Sequence, residues 1–346
     1  MTQKVVPMKI AVDAMGSDHY PRPDVEGAVA AARMYEVEVI LVGDESRIHT
    51  VLDPLKATGC SIRVVHSPEM LTMDDKGFAL ALKAKRKEPR TSMAVGIDLV
   101  KRGEAQAFVT AGNTGAAVAT AYFRIGTIAG VERPALAPVF PTRSGSCVVL
   151  DIGANPDCKP ENLVQFAVMG TVYAERVRGV KHPRVALLST GEEAGKGNSL
   201  VRETHKQLLM SGLNYLGNVE PKELMAGRAD VVLTDGFTGN ILLKSSEAVA
   251  SLILETVRDK IQSASALAKL GGLLVRPTLR SVAKLLNPSE EGAAPLLGID
   301  GLVFIGHGRS DALAIQNAVR VAKLAVEADV LNSIRAEIGQ RLPARA

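Results

Sequence analysis

The 346-residue sequence has no tryptophan, and aromatic residues make up only 3% of it. Sequence-tolerant binding of single-stranded nucleic acid leans on aromatic faces for stacking, so that class finds no support. Cys60, Cys147 and Cys158 are odd in number and show no CxxC spacing. That excludes a disulfide framework and a zinc knuckle and points to a reducing compartment. No apolar run reaches 18 residues, and MTQKVVPMKIAV enters a strand-like segment without a signal-peptide core. A cytoplasmic chain that does not span a membrane is expected.

Other absences narrow the chemistry. No G-x-G-x-x-G follows the first strand-like run, no G-x-S-x-G elbow occurs, and the six histidines show no H-E-x-x-H spacing. A standard dinucleotide fold, a serine hydrolase and a metal-dependent hydrolase therefore lack their usual signatures, and neither metal nor cofactor is expected. Excess charge is also small: 41 Lys and Arg against 37 Asp and Glu leave a formal charge of +4. The basic residues are dispersed, so no nucleic-acid partner is called for.

What remains is a strong α/β signal. Apolar, β-branched runs at Lys9–Asp13, Val37–Val42, Ala107–Thr110, Val148–Asp151, Arg184–Ser189, Val231–Thr234 and Leu302–Ile305 read as strands. Helical patterns read at Asp24–Tyr35, Thr114–Ile125, Pro160–Arg178, Ser199–Met210, Gly239–Ile261 and Asp311–Ala328. Continuous rather than alternating strands predict a mostly parallel sheet covered on both faces, a three-layer α/β/α domain over 1–346 with no sharp linker. Within it, 262–290 reads as an amphipathic helix-turn-helix interrupted by Gly271-Gly272 and Pro277, suited to an oligomer interface, a lipid surface or both.

Two segments share a pattern, Phe108-Val-Thr-Ala-Gly-Asn-Thr-Gly115 and Val232-Leu-Thr-Asp-Gly-Phe-Thr-Gly239. Each is an apolar strand, a Thr, then Gly-x-Thr-Gly opening a helix, and a helix start of this form suits an anion such as phosphate. Most such turns exist only because glycine tolerates positive φ, so the pair means more than either alone. Both are placed at the carboxyl edge of one sheet, where Asp13–Asp18, Asp151–Asn155 and Ser189–Glu193 would join them around one cleft. The candidate phosphate and substrate set is Gly112, Asn113, Thr114, Gly115, Asp235, Gly236, Thr238 and Gly239, with Asp13, Asn155 and His307. Thr190-Gly-Glu-Glu-Ala-Gly-Lys-Gly-Asn198 is not a Walker A loop, because its glycines are one residue too close and Gly197 follows Lys196. Its Lys196 is either a surface lysine or an oxyanion clamp.

The segments IAVDAMGSD (10–18), TAGNTGA (110–116), LDIGANPDCKPENLVQFAVMG (150–170), LLSTGEEAGKGN (187–198), DGFTGN (235–240) and APLLGIDGLVFIGHGRSDALAIQNAVR (294–320) resemble the PlsX-type phosphate acyltransferases of bacterial phospholipid synthesis. The resemblance implies a fold related to phosphotransacetylases and to isocitrate/isopropylmalate dehydrogenases, and a homodimer. It implies acyl transfer from acyl carrier protein to inorganic phosphate, peripheral membrane contact through about 262–290, and catalytic roles for Lys196 and Asn240. Phosphate is itself a competent nucleophile, which fits the missing nucleophile motifs. The carrier is acidic, so its dock should be basic. Lys269, Arg276, Arg280 and Lys284 form one candidate, while Lys83, Lys85, Arg86, Lys87 and Arg90 read as a solvated face. The rivals are a coenzyme A-dependent phosphotransacetylase-like enzyme, a dehydrogenase of the same fold and a non-catalytic scaffold.

Overall fold

In the computed structural model, which describes residues 7–72, 75 and 77–341, the apolar runs fold as strands. The first four are β1 (Lys9–Asp13), β2 (Glu38–Gly43), β3 (Ile62–His66) and β4 (Ala107–Thr110). Next come β5 (Ala135–Leu136), β6 (Val139–Thr142), β7 (Gly145–Leu150) and β8 (Val185–Leu188). The rest are β9 (Tyr215–Val219), β10 (Val231–Leu233), β11 (Ala294–Leu297) and β12 (Leu302–Ile305). They form two sheets where the sequence suggested one. The larger runs β3-β2-β1-β4-β12-β11-β5 and the smaller β6-β7-β10-β8-β9. Pairing is parallel except for β11 against β12 and β5, and β6 against β7.

The layering is α/β/α, as the unbroken apolar strands led us to expect. Ile10 and Val12 enter one core with Val25, Ala28 and Ile315, while Ala11 and Phe108 enter a second with Ile97 and Ala117. The side-chain alternation of each strand thus feeds helices on both faces. In the smaller sheet the helix Pro160–Arg176 covers Val148 and Leu150, and its Phe166 and Tyr173 are fully buried. Each such ring contributes about 1.5–3 kcal/mol of burial.

β1, β4 and β12 have the bounds read from the sequence. The helix expected at Gly239–Ile261 begins earlier, at Gly236, because Asp235 accepts from the Thr238 amide at 2.8 Å and caps it. The excursion is corrected in detail. Gly236–Ser263 and Ala266–Leu285 are joined at Ala264-Ser265, and Gly271, Gly272 and Pro277 all lie inside the second helix. Gly272 leaves room for Ile261 to approach, so a glycine that looked like a breaker serves packing. Leu252, Ile253, Leu267, Leu273 and Leu274 stand exposed on this hairpin. Among the described residues no helix is long and apolar enough to cross a membrane.

Candidate active site

β1, β4 and β12 are parallel neighbours, so the loops after them emerge at one edge of the larger sheet. Asp13 ends β1 and is buried. Its Oδ2 accepts from the Thr110 hydroxyl at 2.8 Å and its Oδ1 from the Met15 amide at 3.1 Å. Thr110 in turn accepts from the Gly112 amide at 3.0 Å, so a buried carboxylate sets the angle of the Gly112 loop. A Cβ at Gly112 would displace the end of the buried Met93 side chain and crowd the Thr110 hydroxyl. Asn113 then caps the helix Thr114–Arg124 by accepting from the Ala116 amide at 2.8 Å. The 306–310 loop closes against both neighbours: Gly306 donates to the Thr110 carbonyl at 2.8 Å, and Asp18 donates to that of Gly308 at 2.6 Å.

Two of the carboxyls here are buried at a cost. Burial pushes Asp13 above the usual carboxylate range, against the lowering effect of Thr110. Burial pushes Asp24 up to about 7 despite a 2.5 Å hydrogen bond from Ser17, with Asp13 as a nearby like charge. The Oδ1 of Asp24 has no hydrogen-bond partner among the described residues.

The smaller sheet repeats the arrangement. Asp151 ends the chain segment of β7 as Asp13 ends β1, beside Thr234 as Asp13 is beside Thr110. Asp151 accepts five hydrogen bonds, from the amides of Leu136, Gly153, Ala154 and Asn155 and from the Asn155 side chain. Asn155 also donates to the Pro134 carbonyl at 2.6 Å. Gly239 must be glycine, since a Cβ would run into the Asp151 carbonyl. Three amides of the helix first turn are satisfied internally: Gly236 donates to the Asn155 carbonyl, Gly239 to that of Asp235, and Thr238 through both amide and hydroxyl to the Asp235 carboxylate.

Asn240 is half-buried beside this loop, its Nδ2 lying 3.7 Å from where a Cβ on Gly153 would stand. Lys196 follows β8, the parallel neighbour of β10, and so stands at the same edge as Asn240. Its amide donates to the Glu193 carbonyl, and Asn218 holds that carbonyl as well, at 3.0 Å. The Lys196 side chain is exposed and, among the described residues, has no carboxylate within 4.0 Å.

Two links bring the sheet edges together. Leu136 of β5, in the larger sheet, donates to Asp151 at 2.9 Å. Glu247, on the helix that begins beside Asn240, meets His307 at 3.4 Å and Arg309 at 2.7 Å from the β12 loop. His307 beside it, then Arg309, holds the Glu247 carboxyl below its usual range. Asn240 and Glu247 are seven residues apart, nearly two turns, and so share a helix face.

The sequence-derived residues therefore divide into two sets. Gly112, Asn113, Thr114, Gly115, Asp13 and His307 lie at the larger sheet's edge, and Asn155, Asp235, Gly236, Thr238, Gly239, Asn240 and Lys196 at the smaller one's. Asp13 and Asn155 are buried and bonded within the protein, and Asp235 with Thr238 forms a cap. Asp151, Asp24 and Glu247 were not singled out from sequence. An acidic residue directly after an apolar strand, shared by Asp13 and Asp151, was the one available signal.

Against this geometry, a family model described as "Fatty acid synthesis protein" matches residues 8–333. A phosphate acyltransferase of Exiguobacterium sp. is 46% identical over 333 residues, covering 95% of this chain and 98% of that one. The chain belongs to the phosphate acyltransferase family. Another family member, the phosphate acyltransferase of Pelotomaculum thermopropionicum, is 44% identical over 331 residues, 96% of this chain and 95% of its own. The family fold is shared more widely. A phosphotransacetylase from Streptococcus pyogenes superposes with a TM-score of 0.58 at 20% identity, covering 92% of this chain and 94% of its own.

Proposed function

We propose that this chain transfers a fatty acyl group from acyl carrier protein to inorganic phosphate. A phosphate oxygen attacks the thioester carbonyl carbon, the C–O bond forms as the C–S bond breaks, and the carrier thiolate leaves and takes up a proton. The product is an acyl phosphate, a mixed anhydride able to feed phospholipid synthesis.

The observation that carries this reading is the meeting of two unlike half-sites through Asp151 and Glu247. The larger sheet offers a helix start with a neutral Asn113 cap, where an anion gains from the dipole. The smaller sheet offers a lysine with no carboxylate partner among the described residues and a half-buried amide, after adjacent strands. Lys196 offsets the charge of phosphate as it approaches the thioester, and Asn240 donates to the carbonyl oxygen as negative charge grows there. Holding both reactants supplies most of what the step needs, because the nucleophile requires no activation by a side chain.

The exposed apolar hairpin is read as the contact with a second copy and with a membrane surface, giving a homodimer peripherally attached to lipid. The decisive experiment follows thiol release from acyl carrier protein with and without phosphate, and detects acyl phosphate by mass. Phosphate-dependent release with the anhydride formed is expected, at a turnover well above that on acyl-coenzyme A. Preference for the coenzyme thioester, or release with no anhydride, would overturn the assignment.

A further inference from the structure

We propose that the acidic carrier protein docks on the basic flank built by 83–90 with Lys101 and Arg124, and not on the hairpin cations. This rests on the carrier-dependent reaction proposed above. In sequence the 83–90 cluster looks like a solvated face, but its place in the fold is different. Arg90 lies three residues before Met93, the side chain that fills the space against Gly112. Three residues of chain reach at most about 11 Å, so the flank adjoins the phosphate half-site.

Its charge remains net positive after the pairing that the fold provides. Arg86 and Arg90 share a single carboxylate, Glu69, each at 2.8 Å. Lys83 pairs with Asp75 at 2.6 Å, and Arg124 pairs with Asp98. Lys85 instead sits 4.2 Å from the centre of the half-exposed Phe123 ring. Among the described residues Lys85, Lys87 and Lys101 have no carboxylate within 4.0 Å, against one unpaired acid, Glu88. Two shallow hollows of about 500 and 210 Å³ are let into this face, the second lined by Phe123 together with Lys85, Lys87, Lys101 and Arg124. A carrier helix rich in acids, with one apolar side chain for the Phe123 hollow, is the matching surface.

Distance argues against the outermost hairpin cation, and pairing against the innermost. From Asn240 to Ser263 the first hairpin helix advances 23 residues, about 35 Å, so Lys269, at the start of the returning helix, is remote from the reacting atoms. Lys284, at the end of that helix, comes back toward the body but meets Glu290 at 3.8 Å. The thioester must reach the phosphate on one arm, and a dock beside Gly112 allows that.

The test uses the full-length protein with Lys85→Glu/Lys87→Glu, and Lys87→Glu alone in case the first disturbs packing on Phe123. Relative to wild type, KM for acyl carrier protein should rise about tenfold or more for the pair and severalfold for the single change. Maximal turnover and KM for the same acyl group on free pantetheine should stay unchanged, and added salt should narrow the gap. Fluorescence anisotropy with unacylated carrier gives a readout independent of chemistry and should show the same weakening. Unchanged anisotropy, or equal effects on carrier and pantetheine substrates, would overturn the dock. If wild type yields no acyl phosphate while anisotropy still responds to the charges, the reaction assignment fails and the dock stands.

Discussion

The two sheet edges are built to one plan and differ in the charge of their helix caps. Each has a buried aspartate after one strand, a threonine at the end of the next, and Gly-x-Thr-Gly opening a helix. At the larger sheet the helix is capped by the neutral Asn113, at the smaller by the anionic Asp235. A capping carboxylate already satisfies the positive end of its helix, so the second copy of the pattern has no surplus to offer phosphate. On the reaction proposed above, a motif that reads as an anion site twice serves as one only where the cap is uncharged, and the other copy instead positions Asn240.

The sharpest way to break this contrast is to remove the groups assigned to the second edge. Lys196→Ala and Asn240→Ala should each lower turnover about 10²–10³-fold with folding intact, as loss of an oxyanion donor does. Near-normal rates in either folded variant, measured by thiol release, would leave that edge without a chemical role.

The buried carboxylates supply a second test. Asp151 accepts five hydrogen bonds, whereas Asp24 has an orphaned oxygen and a carboxyl pushed up to about 7 from its ordinary 3.8. Between those values the native state holds a proton that the unfolded chain has lost. Stability therefore falls as pH rises through this window, and the whole penalty is present above about 7. Asp24→Asn removes it. Thermal unfolding should show the variant gaining about 2–3 kcal/mol on wild type between pH 5 and pH 8. A pH-independent difference would contradict the ionisation argument.

The smallest expected effect tests the caps themselves. Asn113→Asp places a carboxylate where phosphate is proposed to bind and should raise its KM about tenfold, roughly 1.4 kcal/mol. Asp235→Asn should change phosphate KM less than about twofold. Steady-state phosphate titrations of both variants measure this, and equal shifts would erase the distinction between the edges.

Much of this frame was legible in the sequence. β1, β4 and β12 could be placed residue by residue because strands buried on both faces are unbroken apolar runs closed by glycine. The Gly-Asn-Thr-Gly turn and its helix were equally plain. The division into two sheets was not. It occurs at Ala137-Pro138, between the short strands β5 and β6, and depends on partners far along the chain, such as Pro295 for the Ala137 amide. Glu247 was hidden for the same reason. On an amphipathic helix it looks like one solvated acid among others, and its partners lie 60 and 62 residues away. The turn at Ala264-Ser265 was missed because glycine and proline nearby were read as stops, although an exposed helix can absorb both.

The Glu247 clamp has a mechanical consequence. The helix Gly236–Ser263 is held at its root by the Asp151 loop and again at Glu247, leaving about 24 Å of rod cantilevered beyond. Bending of that outer arm, under load from whatever it rests on, is arrested at the clamp before it reaches Asn240. The amide proposed to meet the carbonyl oxygen is thereby insulated from the sway of the hairpin on the same helix.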